Sequence, residues 1–439
     1  MKKALFLAGS LLASAAFAQP QEAPVVGDAP EAGIAPQEAP GAKRILVAEE
    51  PDPEMADKLD EAFDQPIDAA PFWTVANAEV LLDYIEAVAA EGLVPADYNP
   101  EGLRAAIVAG DMSALATTAT DSFNKLSAHL ALGQVDHEAR VDWHIKDADL
   151  SEERQRALLE WALYEGKLKE SLDKLLPEHP QYAALKNALA VADPADAEGI
   201  AKIRLNLDRW RWLPRDLGDR YIIVNVPAYT AALVENGETI SRHRAVAGAV
   251  RTPTPQLMAE ATGVIFNPYW NVPKSIEPEV RGKAGYEAIR DDDGNIVRYR
   301  QPPGPNNSLG RIKFVMYNPH LIYLHDTNAR GLFNAEERAR SHGCIRTENI
   351  LGLANMLLKM DGNDWSEEKT LEIVNSGKNT GAKFANSLPV FIAYFTLAAR
   401  GDGSVIDYED IYGRDKPVAE ALNEWQPSSA EDAQVAEAS

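Results

Sequence analysis

One cysteine stands in 439 residues. An internal disulfide is therefore excluded, although the chain opens like an exported protein, a class in which paired cysteines are common. A leftover thiol is either a small buried hydrophobe or a reactive group. Basic residues are also scarce, with 43 Lys and Arg against 67 Asp and Glu and a formal net charge of −24. Nucleic-acid binding rests on neutralising phosphates with Lys and Arg, so this balance argues against it and against adhesion to anionic lipid. Beyond the first 18 residues no stretch approaches the ~20 apolar residues a membrane helix needs. No integral membrane segment is expected once those residues are removed. The ordered ligand spacings of structural zinc sites are missing too, so neither metal nor cofactor is expected.

What is there begins with Met1-Lys2-Lys3, an apolar run from Ala4 to Phe17 and an Ala16-Phe17-Ala18 site. This is the pattern of a secretory signal peptide over residues 1–18. Residues 19–66, rich in Pro, Ala and Glu, predict a flexible linker. Residues 67–200 carry helical periodicity. Asp121 is expected to cap a helix with Phe123, Leu126 and Leu130 on one face and Gly133 at its end; Ser151 is expected to cap another bearing Leu158, Leu159 and Ala162. Around Ile203 the pattern turns to strands: 221–226, 230–235, a hairpin at Asn236-Gly237, then 261–267, 312–316, 321–325 and 389–396. One helix interrupts them, with Thr347 as the expected cap and Ile350, Leu353, Ala354, Leu357 and Leu358 on one face. The fold class is therefore α+β, an all-α domain followed by a mainly β domain over 201–415. Residues 268–309 predict a lid, since loops this long inside a compact domain are usually functional. An acidic tail is expected over 416–439; from Gly401 onward there are ten acidic residues and two basic.

The chemistry lies in Tyr323-Leu324-His325-Asp326-Thr327-Asn328 and Arg340-Ser341-His342-Gly343-Cys344-Ile345-Arg346. His325 closes a predicted strand, which is expected to place its ring at a sheet edge, facing a cleft. Cys344 follows after a loop, and Gly343 permits a tight backbone before the thiol. A thiol near its ordinary pKa of about 8.5 is mostly protonated at neutral pH, whereas the thiolate is the nucleophile. A neighbouring imidazole can take the proton and return it to a leaving amine. The group that orients the imidazole is either the backbone carbonyl of Asp326 or its carboxylate. The amides of Gly343 and Cys344 are the expected oxyanion donors. His342 fits an orienting role in the turn as well as a catalytic one, while His129, His137, His144, His179, His243 and His320 read as packing or surface residues. Tyr269 and Trp270 fit stacking on sugar or peptide, or lid core. Residues 311–346 hold six basic and three acidic residues, a local excess of +3. Arg346 suits bidentate recognition of a carboxylate.

Ser341-His342-Gly343-Cys344 resembles the Ser/Thr-His-Gly-Cys signature of YkuD-type L,D-transpeptidases, with His325 at the upstream histidine position. The likeness is closer to the YcbB-like branch, through Arg251-Thr252-Pro253, Phe266 to Pro273, Leu309 to Phe314, Tyr323 to Thr327 and Asp410-Ile411-Tyr412-Gly413. Shorter members have Asn two positions after the cysteine where this chain has Arg346, as that branch does. The branch's usual peptidoglycan-binding module has no room between Ala190 and Ile203. The resemblance implies a periplasmic enzyme that makes 3→3 cross-links between peptidoglycan tetrapeptide stems through a Cys344 acyl-enzyme. Cys344, His325, Asp326, Gly343 and His342 would be catalytic; Arg346, Tyr323, Ser341, Trp270 and Arg340 would bind substrate. Water as acceptor would instead give an L,D-carboxypeptidase or endopeptidase. An outer-membrane protein's amine would give protein attachment to the wall, and a vestigial site would leave a wall-binding scaffold.

Overall fold

The structure, a computed structural model, describes residues 72–146, 150–274, 276–362 and 365–423. The expected signal peptide and linker lie outside them, as does the expected acidic tail from 424 onward, while the first part of that tail belongs instead to helix Asp415–Asn423. Among the described residues no helix is long and apolar enough to cross a membrane.

The first region is helical, and its core gathers Leu81 and Ile85 from helix Val75–Ala87, Leu103 from Pro100–Ala109, Phe123, Leu126 and Leu130 from Met112–Leu132, and Leu159 from Glu152–Glu165. Ser151 caps its helix as expected, accepting from the Arg154 amide at 3.2 Å. The long helix starts at Met112, not after Asp121. Asp111 caps it, accepting from the amides of Ser113 and Ala114 at 2.9 and 3.2 Å. Its buried stripe extends upstream through Leu115 and Ala119, a run of Ala and Thr too weakly apolar to reveal a face. Helix Ala197–Arg211 likewise runs through Ile203, where strands were expected to begin. Trp210, Trp212 and Leu207, on or just after it, share a second core with Tyr221, Phe391 and Phe395 of the β region, so this helix seats the β region against the helices.

The β region contains β1 Arg220–Asn225, β2 Thr230–Glu235, β3 Glu238–Gly248, β4 Leu257–Phe266, β5 Trp270–Val272, β6 Glu287–Arg290, β7 Ile296–Gln301, β8 Ile312–Met316, β9 Leu324–His325, β10 Ala339–Ser341, β11 Ile345–Thr347 and β12 Thr380–Ala393. Nine of them form one sheet in the order β10-β3-β11-β9-β8-β4-β12-β1-β2. A further β2–β3 pairing joins its far end back to β3, so the sheet closes on itself. Period-two alternation splits β1: Ile222 and Val224 face the enclosed core with Phe266, Phe314, Leu324 and Ile345, while Tyr221 faces the helices. Asn236 and Gly237 take φ of 49° and 77° at the β2–β3 turn, the left-handed pair such a hairpin requires.

One local expectation fails in this region, and one segment is more regular than expected. Thr347 does not cap a helix; it lies in β11 and is fully buried, and helix Ile350–Met360 starts at Asn349, which adopts φ 51°. The expected lid is more regular than its composition suggests. Residues 268–309 hold a three-stranded sheet, β5-β7-β6, whose Trp270, Val272 and Tyr299 join the main core. Pairing across strands, rather than periodicity along any one of them, builds it.

Candidate active site

Strand β9 is two residues long, yet it carries His325 to the middle of the sheet, between β11 and β8. The histidine is therefore not at a sheet edge. Residues directly opposite in a sheet share a face. Lys313 of β8 lies opposite His325, and His325 lies opposite Arg346 of β11, so the three stand side by side. His325 is fully buried, and its Nδ1 is hydrogen-bonded to the carbonyl oxygen of Asp326. A carbonyl only accepts, so Nδ1 holds the proton and Nε2 is left as the basic nitrogen. Of the two orienting groups left open, the backbone does the work. The Asp326 carboxylate instead accepts from the Arg311 amide and from Arg330, each at 2.9 Å. Gly310, at φ 62°, permits that approach, since a Cβ there would stand 2.5 Å from the carboxyl carbon.

Ser341 shapes the turn that carries the cysteine. Its hydroxyl donates to the Cys344 carbonyl at 2.6 Å and accepts from the Gly343 amide at 3.1 Å. Two expectations change here. Ser341 is fully buried and braces the backbone instead of facing a ligand. The Gly343 amide is engaged by that hydroxyl and does not point at a reacting carbonyl in this state. Gly343 itself takes φ 108°, with Ile322 Cδ1 only 3.1 Å from where a Cβ would be. The open groove expected around the sulfur is closed. Cys344 is 0% exposed, because the turn folds its thiol onto the Leu321 carbonyl, to which Sγ donates at 3.7 Å. Leu321 is held left-handed, φ 58°, by Asn318, whose carbonyl accepts from the Leu321 amide at 3.1 Å.

Residues assigned no role in the sequence brace the turn from behind. Thr254 Oγ1 donates to the Gly343 carbonyl at 2.8 Å and accepts from the Gly248 amide at 2.9 Å. The Ser341 carbonyl accepts from Thr252 Oγ1 at 3.0 Å and the Ala249 amide at 2.7 Å. The Tyr412 hydroxyl donates to the Gly248 carbonyl at 2.5 Å. Their signal was the hydroxyls interleaved with prolines in Arg251-Thr252-Pro253-Thr254-Pro255, far from the cysteine in sequence.

The remaining expected residues are distributed unevenly. Tyr323 is buried with its ring edge-on to His325, centroids 5.6 Å apart, and Lys313 Nζ stands 5.2 Å from the Tyr323 centroid. Arg346 is buried on β11. His342 is half-buried on the turn and Arg340 is exposed on β10. Trp270, expected to touch substrate, is wholly enclosed in the lid, edge-on to Tyr286; the exposed aromatic is Tyr269, with Arg300 over its ring at 4.3 Å. Of the other histidines, His179 stacks on Trp210 at 4.1 Å and His129 bonds the Tyr98 hydroxyl at 3.0 Å. Burial pulls both imidazoles down to about 4.

Comparison with known proteins matches residues 219–384 to the family model of the L,D-transpeptidase catalytic domain and residues 58–189 to that of the Scaffold domain. A Haemophilus influenzae protein whose name assigns it as an L,D-transpeptidase is 31% identical over 292 residues, which cover 60% of this chain and 58% of that protein. The chain thus spans less than two thirds of the relative's length. Among solved structures, an Enterococcus faecium L,D-transpeptidase is 16% identical, covering 41% of this chain and 52% of its own, with a TM-score of 0.23. Mycobacterium tuberculosis L,D-transpeptidase 1 is 13% identical, covering 40% of this chain and 61% of its own, with a TM-score of 0.19.

Proposed function

Since the chain carries a YkuD L,D-transpeptidase catalytic domain behind a Scaffold domain, we propose that it cross-links peptidoglycan stems 3→3 through an acyl-enzyme on Cys344. The observation that carries this reading is the tautomer of His325. With Nδ1–H held by the Asp326 carbonyl, Nε2 is the nitrogen that carries the lone pair and serves as the base for a thiol. His325 takes the Cys344 proton, and the thiolate attacks the carbonyl of the L-centre of diaminopimelate in a tetrapeptide stem. The imidazolium returns the proton to the departing D-Ala amine, leaving a thioester. The side-chain amine of a second stem then attacks. His325 accepts its proton and delivers it to the sulfur as the new amide forms and the thiol is regenerated.

Tyr323, two residues before His325, and Arg346, opposite it on β11, are the substrate-facing residues of this reading, with Arg346 meeting a stem carboxylate. Arg340 and Tyr269 offer further contacts at the surface. The enclosure of Cys344 supports transfer to an amine over hydrolysis, because a dry site protects a thioester from water. It also requires the Leu321 loop or the lid to move before a stem reaches the sulfur. The signal-peptide pattern at residues 1–18 supports a periplasmic site of action. Incubation with tetrapeptide muropeptides and mass analysis of the products tests the reading. Cross-linked dimers with released D-Ala support it. Tripeptide without dimer would identify a carboxypeptidase, coupling only to an added outer-membrane protein's amine would identify wall attachment, and unchanged substrate would leave a wall-binding scaffold.

A further inference from the structure

A thiol that donates to a carbonyl faces an electrostatic difficulty when it ionises. The Leu321 oxygen that accepts from Cys344 Sγ repels the thiolate once the proton has gone. Some positive charge must offset this within the buried site. His325 supplies it only while it holds the proton, and it must give that proton to the leaving amine. The strand register sets another cation nearby. Lys313 stands directly beside His325 on the same face of the sheet, with Nζ over the Tyr323 ring that in turn packs against the imidazole. Among the described residues no carboxylate forms an ion pair with Lys313. The Asp326 carboxylate, next to His325 in sequence, is directed to Arg330 and the Arg311 amide.

We propose that Lys313 is a positioning residue for the nucleophile: its ammonium sets the thiolate fraction of Cys344 independently of the protonation state of His325. The ionisable groups around this pair are Tyr323 and His325 on the β9 segment, Arg346 on β11 and His342 on the turn. The electrostatics agree with the geometry. Burial pulls the Lys313 ammonium below its usual pKa, and the charge on Cys344 opposes that fall. Such coupling is reciprocal, so the ammonium favours the thiolate by the same amount.

The proposal rests on Cys344 as nucleophile, but its test requires no turnover, so either can fail alone. The chain has one cysteine, and the 240 nm absorbance of the protein minus that of Cys344→Ser therefore follows one sulfur through a pH titration. Lys313→Met, read against its own Cys344→Ser double variant, should raise the midpoint by about one pH unit, a tenfold smaller thiolate fraction at neutral pH. Lys313→Arg should restore the wild-type midpoint. If Lys313→Met does not fold, Lys313→Gln is titrated in its place with the same expected rise. An unmoved midpoint in the neutral variant, or an arginine variant shifted as far as the neutral one, would overturn the assignment.

Discussion

Thr254→Val tests whether the nucleophile's turn is held from behind. The substitution keeps shape and removes a single hydroxyl. Thr254 is fully buried, and that hydroxyl serves two backbone groups at once, the Gly343 carbonyl at 2.8 Å and the Gly248 amide at 2.9 Å. Valine leaves both without that partner in a place water does not reach, at a cost of about 1–3 kcal/mol for each group. Removing the hydroxyl's own desolvation offsets part of this, and a net loss of about 2–4 kcal/mol is expected. The catalytic effect is separable. Gly343 precedes the sulfur by one residue, and a displacement of the order of 1 Å costs about 100-fold in rate. Urea unfolding gives the first number, and cross-linking of tetrapeptide stems gives the second. Thr254→Ser keeps both hydrogen bonds and should stay within about 1 kcal/mol of wild type. A valine variant within about 0.5 kcal/mol of wild type and equally active would refute the reasoning, since that is the ordinary scatter of neutral substitutions.

Cys344→Ala should abolish turnover while stability changes by no more than about 1 kcal/mol, since one sulfur leaves a small cavity; retained activity in a poorly folded variant would remove Cys344 as nucleophile. The family resemblance also predicts that a carbapenem acylates wild type but not this variant, read as an increase in intact mass. Gly343→Ala should destabilise by about 1–3 kcal/mol, because φ 108° is strained for any residue with a Cβ, and the methyl would also crowd Ile322; an alanine variant with an unchanged unfolding midpoint would contradict this. Stability should fall as the pH drops below about 6.5. His129 and His179 titrate near 4 when folded and near 6.5 when unfolded, so the unfolded chain binds more protons between those values. At pH 5 each contributes a loss of about 2 kcal/mol, and a His179→Asn variant whose unfolding midpoint falls as steeply with pH as wild type would show that this group is not responsible.

The local rules that worked were those with a single physical cause. Asn236-Gly237 marked its hairpin because few other residues tolerate two left-handed conformations in succession; β8 matched its expected bounds through plain alternation, and β2 matched as a short apolar run bounded by that turn. Ser151 was legible as a cap because polar Glu152 and Glu153 follow it before the apolar stripe. Asp111 was not, since Leu115 and Ala119 are spaced among Thr and Ala that blur the face. Thr347 looked like a cap because it precedes an apolar helix, but the pairing of β11 with β3 and β9 overrode that local preference. The sequence pointed to His325 and Cys344 as one candidate site, and the structure sets strand β9, which carries His325, beside β11, which directly follows Cys344. The sequence could not show that β9 lies mid-sheet, that the Asp326 carboxylate turns to the Arg311 amide, or that Ser341 faces inward, because each depends on tertiary packing rather than on local pattern.

Tyr412 lies 68 positions beyond the cysteine. Its hydroxyl nevertheless bonds Gly248, which passes its amide to Thr254 and so reaches Gly343. Arg414 follows with contacts to the Thr254 carbonyl at 3.0 Å and to Asp142 of the helical region at 2.7 Å. A protease cutting near residue 400 would spare all nine strands of the large sheet and both His325 and Cys344. It would sever the strap that ties the far end of the polypeptide to the turn bearing Cys344, removing the Tyr412 and Arg414 contacts while Thr252 and Thr254 still hold that turn.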